Sequence, residues 1–401
     1  MATFGTNLRR ARTERGLSQA ELGGERFSAS YISHLERGKR MPTTGVAEYL
    51  AARLAVSVGV LLDDLSSDSV SATVSQVLLY EALTRHEYDT VDRGAMASTS
   101  AGDHFAAMQV RAQAQLERGD FRECLRTTDE LLESAVAATS PVLRAITLAI
   151  RSRALRADGA LSAARDAATE AVEAVEAKGD CPTEVVVAAR TAEIAALAEL
   201  GDASALALAT EELDRLTATL PEGHSRALAA WSIGNVRFAE GRIAEAVAAH
   251  DEAARLLRPE ASLRAWARFH KATAALRVEA GIDDSGVDAL IERAAHGLAI
   301  VGNAHDCAEL DLLRARRSIP TDPLRALNLA GETLDGNNLP NQTVAEAELV
   351  RASALEALGR RHEQTAALRH AAEALTSSGA TERAVSIWRA VVESQEPAAA
   401  P

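Results

Sequence analysis

Hydrophobic positions recur with a helical period along the whole chain, and runs of β-branched residues are almost absent. The period is clear in residues 1–65. Leu8, Ala11 and Arg12 share one face of a helix that Gly16 stops. Ser18, with Glu21 three residues on, makes a capping box for a short helix ending at Gly23 or Gly24. Ser28 caps a third helix, Ala29 to about Arg37, and Gly38 ends it. A fourth helix is predicted over 44–54 and a fifth from near Ser57 to about Leu65. Leu22, Ile32, Leu35, Val46, Leu50, Leu54, Val58, Leu61 and Leu62 supply the common core.

Beyond the polar stretch Ser66-Ser67-Asp68-Ser69, alanine and leucine keep helical spacing to residue 395, and glycines mark a longer period. Gly119, Gly159, Gly201, Gly241 and Gly281 follow one another at steps of 40 or 42, and Gly359 comes two steps of 39 later, with Ile319-Pro320 at the boundary between. A fixed period of about 40 residues predicts a solenoid of helix pairs. The expected architecture is all-α: five helices over 1–65, a linker at 66–71, a helical-repeat array of seven or eight pairs over 72–395, and a disordered tail at 396–401.

The 401 residues are 47% hydrophobic but only 3% aromatic, so the core is expected to consist of small side chains at close helix–helix contacts. No run of eighteen apolar residues occurs and no signal-peptide stretch opens the chain, so no membrane partner is expected and the protein is predicted to be cytoplasmic. Cys124, Cys181 and Cys307 are odd in number and lack metal-ligand spacing, which also suits a reducing compartment. The net charge of −14 is unevenly spread: residues 1–42 carry eight basic and four acidic side chains, leaving −18 on the rest. A basic head suits a polyanion. The acidic body would be repelled by one and must meet something else.

Two short helices joined by a tight turn make a helix-turn-helix. The runs Leu17-Ser18-Gln19-Ala20-Glu21-Leu22 and Ser28-Ala29-Ser30-Tyr31-Ile32-Ser33-His34-Leu35-Glu36-Arg37-Gly38-Lys39-Arg40-Met41-Pro42 resemble the Cro-type (Xre) helix-turn-helix family, with a turn one residue shorter at Gly23-Gly24. The resemblance implies binding of double-stranded operator DNA as a dimer. Docking of this motif puts the N-terminal part of the third helix against base edges, so Ala29, Ser30, Tyr31, Ser33 and His34 are the expected readers beside the capping Ser28. Gln19 is expected at a phosphate, with Arg10, Arg37, Lys39 and Arg40 as phosphate clamps. Tyr31 has packing as its competing role. Glu36 is given no DNA role and is expected to pair with a first-helix arginine. Such small readers predict modest direct readout and a sizeable contribution from DNA shape.

The segment from Trp231 through Gly234-Asn235 and Gly241 to Ala246 resembles a tetratricopeptide (TPR) repeat. Gly234 would allow close helix approach, Gly241 make the turn and Ala246 pack on the first helix; Cys124 takes the small-residue place in an earlier repeat. In that family the first helices line a groove that takes extended peptides or protein tails, and the residue after the first-helix glycine clamps ligand backbone. Here that residue is Asn235. Carrying the pattern along the repeats gives an inferred groove of Gln109, Gln113, Arg153, Arg156, Trp231, Asn235, Phe238, Arg268, Lys271 and Arg314. Positive groups within an acidic body suggest a ligand bearing carboxylates.

A Cro-type head on a TPR array is similar to the RRNPP group of quorum-sensing receptors, and the 40 arginines against three lysines suit an actinobacterial member. The resemblance implies a one-component transcriptional regulator whose array dimerises and senses a short signalling peptide. Two alternatives stand beside it: a TPR adaptor holding a protein partner at a promoter, and a small-molecule sensor with a pocket between Trp231, Phe238, Trp266 and Phe269. Ile387, Trp388 and Val391 form an apolar stripe suited to a dimer surface or a capping helix. No phosphate loop, nucleophile motif or paired loop acid appears, so neither catalysis nor a cofactor is expected. His305-Asp306-Cys307 and the pair His362/His370 lack a third ligand, so no metal is expected; Cys181, before Pro182, is a candidate redox-sensing thiol.

Overall fold

The computed structural model describes residues 2–56, 58, 61, 67–97, 101–282, 285–335 and 339–393, and among them there are 22 helices and no strand. The chain divides into two compact units, Met1–Glu81 and Ala82–Pro401.

In the first unit α1 (Ala2–Glu14), α2 (Gln19–Gly23), α3 (Ala29–Glu36) and α4 (Thr44–Arg53) close on one apolar cluster. Leu8, Leu22, Ile32, Leu35, Leu50, Leu54 and Leu61 are fully buried there, Phe4 and Ala11 join from α1, and Val46 and Val58 pack at the edge. The capping box forms: Ser18 Oγ accepts the Glu21 N–H at 3.2 Å while the Ser18 N–H donates to Glu21 Oε2 at 2.7 Å. Gly24 ends α2 at φ +58°, and a Cβ there would lie 2.8 Å from Tyr49 Oη. That hydroxyl donates to the Gly23 carbonyl at 3.2 Å, so α4 pins the short turn.

Most of the expected fifth helix, with Leu62, and the tail at 396–401 lie outside the described residues. The linker expectation meets a difference. Ser67-Asp68-Ser69 open α5 (Ser67–Thr84), and the compact units part after Glu81 rather than at 66–71. Serine and aspartate suit the first turn of a helix as well as a loop, so polarity alone does not separate the two.

In the second unit α6 (Tyr88–Met96) packs on the first of seven helix pairs formed by the described residues. These are α7 (Ala101–Arg118) with α8 (Phe121–Glu133), then, after the short α9 (Ala135–Thr139), α10 (Pro141–Asp158) with α11 (Leu161–Lys178), α12 (Thr183–Leu200) with α13 (Ala203–Thr217), and α14 (His224–Ala239) with α15 (Ile243–Leu256). There follow α16 (Leu263–Glu279) with α17 (Ser285–Val301), α18 (Ala304–Ser318) with α19 (Pro323–Asp335), and α20 (Asn341–Ala357) with α21 (Arg361–Ser378); α22 (Thr381–Glu393) closes the array. The turn glycines all have positive φ, the conformation that lets the chain reverse with no Cβ clash.

Alanines at the pair interfaces are buried to the backbone, and one glycine carries the closest approach. A Cβ on Gly234 would lie 2.2 Å from His250 Cδ2. His250 cannot swing aside, because it is 1% exposed and bridges Asn235 Oδ1 and Thr273 Oγ1, each at 3.1 Å. Gly234→Ala should therefore destabilise the array by about 1–3 kcal/mol despite the better helix propensity of alanine, read as a lower urea midpoint. An unchanged midpoint would show that α14 and α15 can separate freely.

The array coils far enough to meet itself. Gly119 faces the Asn303 side chain, Gly159 faces Asn341 and Gln342, and Gly201 faces Glu382. Leu161 shares a buried cluster with Ala345 and Leu375. Turn glycines of the early pairs thus seat the N-termini of first helices one coil later.

Candidate functional site

On the first unit, α3 begins with Ser28 Oγ accepting the Tyr31 N–H at 3.2 Å, so Ser28 is held as a cap. Ala29, Ser30 and His34 are exposed and Ser33 is half-buried on the same helix. Arg10, Arg37, Lys39 and Arg40 are all exposed. Two expected DNA residues are engaged within the head itself. Tyr31 is half-buried, its ring stacked on Phe27 at 5.1 Å with the Arg40 guanidinium 5.8 Å from its centroid; apolar burial outweighs display in the groove. Gln19 Nε2 donates to Glu36 Oε2 at 2.8 Å, so its side chain is held toward α3. Glu36 pairs with Arg12 of α1, as expected, through bonds of 2.6 and 3.3 Å. Its hydrogen bond and charge raise the Arg12 pKa.

In the second unit a charged network joins two coils of the array. Asp306 is 1% exposed and caps α18 in a reciprocal box with Asn303. Its carboxylate accepts from Arg268 at 2.7 and 2.8 Å, from Lys271 at 3.3 Å and from Arg264 at 3.4 Å. Lys271 also pairs with Glu309. Arg264 donates to Tyr88 Oη at 2.9 Å and lies 3.9 Å from Glu117, while Asn303 Nδ2 donates to the Glu117 carbonyl at 3.1 Å. Burial alone would raise the Asp306 pKa; the hydrogen bonds and charge of Arg268, the charge of Lys271 and the Asn303 N–H overcome that and hold it far below the usual carboxylate range.

The expected groove residues separate into several kinds, Trp231 being half-buried among them. Gln109, Gln113, Arg156, Arg268 and Lys271 are already engaged: Gln109 with Thr147, Gln113 with Glu117 at 2.8 Å, Arg156 with Glu199, and the last two with Asp306. Asn235 Oδ1 is taken by His250, leaving its amide donors for a ligand. Phe238 and Arg314 stand differently. Phe238 is 7% exposed against His250 and belongs to the core, and Arg314 is exposed and pairs with Asp311 at 2.9 Å, one turn before it. Arg153 stands alone: it is exposed, and among the described residues no carboxylate lies within ion-pair distance of it.

Residues 3–65 match the family model of a helix-turn-helix domain. An uncharacterized HTH-type transcriptional regulator, y4dJ, of Sinorhizobium fredii is 46% identical over 54 residues, which are 13% of this chain and 70% of that protein. The chain belongs to the HTH-type transcriptional regulators. Among solved structures, Rap protein complexed with competence and sporulation factor aligns at a TM-score of 0.50 and 12% identity over 82% of this chain and 100% of that one. The apo form of the quorum sensor NprR from Bacillus thuringiensis aligns at 0.45 and 10% identity over 97% and 98%. The first of these likenesses places the regulator's array in the helical-repeat fold.

Elsewhere in the regulator, the aromatic set proposed as a small-molecule pocket packs into the helix interfaces, with Phe238 and Phe269 buried and Trp231 and Trp266 half-buried. Trp231 and Phe269 meet edge to face at 5.7 Å, Trp266 and His270 at 4.3 Å, and Phe269 is 1% exposed. Burial lowers His250 and His270 to about 4, so both stay neutral while filling the helix interfaces. The stripe on α22 is corrected in detail: Ile387 and Val391 pack inward, and the exposed apolar row is Val385, Trp388 and Val392. Cys124 is fully buried, with Sγ donating to the Ala112 carbonyl at 3.3 Å, and burial pushes its thiol up to about 12. Burial also raises Cys181, which works against a reactive thiolate. Among the described residues no group of three or more His, Cys, Asp or Glu is placed to hold a metal ion, and no helix is long and apolar enough to cross a membrane.

Proposed function

We propose that this regulator binds operator DNA through α3 and is controlled by a short peptide held on the inner face of its helical array. The observation carrying the first half is the exposed start of α3, Ala29, Ser30 and His34, with four exposed cations, Arg10, Arg37, Lys39 and Arg40, that form no ion pair among the described residues. Such a surface can approach a phosphate backbone while small side chains enter the major groove. Support for the second half is the coiled array, whose first helices carry the exposed Arg153 and the open amide donors of Asn235; Rap, of the same fold, is described in complex with competence and sporulation factor. The same reading makes the protein a cytoplasmic homodimer that carries out no catalysis, with Val385, Trp388 and Val392 as the surface it would pair through. A protein tail in place of the peptide is the second reading, favoured by the same open amide donors of Asn235.

The test is a gel shift on the DNA upstream of the regulator's own gene and its neighbours, at two salt concentrations. Ser30→Glu with Ser33→Glu puts two negative charges against the groove and should weaken binding by on the order of 100-fold or more. Wild-type affinity should fall steeply with salt, by roughly one decade in affinity per decade in salt for each phosphate clamped. A shift that ignores both the variant and the salt would sink the α3 reading. Adding culture extract to the same assay reports the effector.

A further inference from the structure

Five cations and four carboxylates make up the network inside the array. Arg264, Arg268 and Lys271 share Asp306, Glu117 and Glu309, and Arg156 pairs with Glu199. Arg153 is the cation left over. It sits one turn before Arg156 on α10, and the charges it feels come from both sides of the interior: Glu117 from the pair before it, and Arg268 from a helix three pairs further along. Two buried donors on the same inner helices, Arg156 Nε and Trp231 Nε1, also lack hydrogen-bond partners among the described residues. An interior with one guanidinium unmatched and donors to spare is complementary to an anion.

We infer that Arg153 is the anchor of an anion subsite inside the array, flanked by Arg156 and Arg268, which takes a carboxylate of the ligand. This rests on the reading that the array holds a peptide and names the group recognised: a C-terminal or acidic side-chain carboxylate, which a planar guanidinium can accept through two parallel hydrogen bonds. The helices packed around it, with Arg268 and Arg156 close by, lower Arg153 to about 10 although its side chain reaches solvent, so a bound carboxylate would relieve an existing repulsion. The array as a whole is strongly acidic and repels anions at long range, so binding here must be local. Working at about 0.15 M salt, where charges beyond roughly 8 Å are screened, isolates that local contribution.

The experiment titrates the full-length protein with triglutamate by calorimetry, without DNA. Triglutamate should bind the wild type, and Arg153→Gln should weaken it at least tenfold. Arg165→Gln, which removes a half-buried arginine that among the described residues pairs only with its neighbour Asp166 on α11, should leave it unchanged. Arg153→Lys should recover part of the binding. Melting temperatures separate recognition from folding: because Arg153 has no ion pair to lose, Arg153→Gln should melt at or above the wild-type temperature, whereas a structural arginine would lower it. Triglutamate binding that ignores Arg153 would overturn the subsite while leaving a ligand-binding array in place. No binding to the wild type would also overturn it, and neither result touches operator binding, which the gel shift reads separately.

Discussion

Asp306→Ala should destabilise the helical array by about 3–5 kcal/mol, the cost of leaving buried cations without their shared partner. Asp306 is 1% exposed, and three cations, Arg264, Arg268 and Lys271, converge on it. Arg264 also holds Tyr88, and Asn303 both caps α18 with Asp306 and reaches the Glu117 carbonyl. The substitution therefore removes a helix cap and the tie between successive coils at once. The sign of the pH dependence follows from its depressed pKa. The carboxylate's contribution is fully present above the unfolded value of about 3.9 and is lost as pH falls through the lower folded value. Urea midpoints at pH 7 and pH 3 test this: wild type should lose stability between the two, and Asp306→Ala should start lower and lose less. Equal losses in both proteins would mean that other carboxylates govern the acid limb.

Glu36→Ala should unfold the DNA-binding unit selectively. Glu36 has a 4% exposed side chain and takes two bonds from Arg12, itself 15% exposed, and one from Gln19. Removing it strands a largely buried guanidinium at a cost of about 3 kcal/mol. A head of this size has little more stability than that to lose. Hydrogen exchange should show amides of α1 and α3 losing protection while those of α10 to α16 keep theirs, and the operator shift should disappear. The double variant Arg12→Ala, Glu36→Ala should lose less than the two single effects combined, since no charge is left stranded. If array amides lost protection equally, the two compact units would not be independent folding units.

Much of this was legible in the residues alone. Ser18 with Glu21, Ser28 and the left-handed glycines set helix ends by local hydrogen bonding, and each acts as local chemistry demands. The pairing of Glu36 with α1 was legible too, because a carboxylate on the inner side of a short helix needs a cation close in the fold. The inward contacts of Tyr31, Gln19 and Phe238 were not legible, for one shared reason. Each lies at a position that can face outward or inward, and only the neighbours decide: Phe27 for Tyr31, Glu36 for Gln19 and His250 for Phe238. The box Asn303-x-x-Asp306 was visible as a capping signal, yet nothing local announces that Asp306 also gathers three cations from α16.

Period and turn chemistry by themselves determined that this protein is all helical, with a helix-turn-helix head and glycine-turned pairs of about 40 residues, because those features depend on contacts within a turn or between adjacent helices. What only the tertiary structure decided is where the array meets itself and which charge is left unmatched there. Asn303 reaches Gly119, Gln342 reaches Gly159 and Glu382 reaches Gly201 through the small rotation that each pair adds to the last. That rotation is set by side-chain packing at every interface and accumulates over more than 180 residues, so no local pattern encodes its sum. Arg268 is paired because the next helix pair brings Asp306 to it, whereas among the described residues no element brings a carboxylate within ion-pair distance of Arg153.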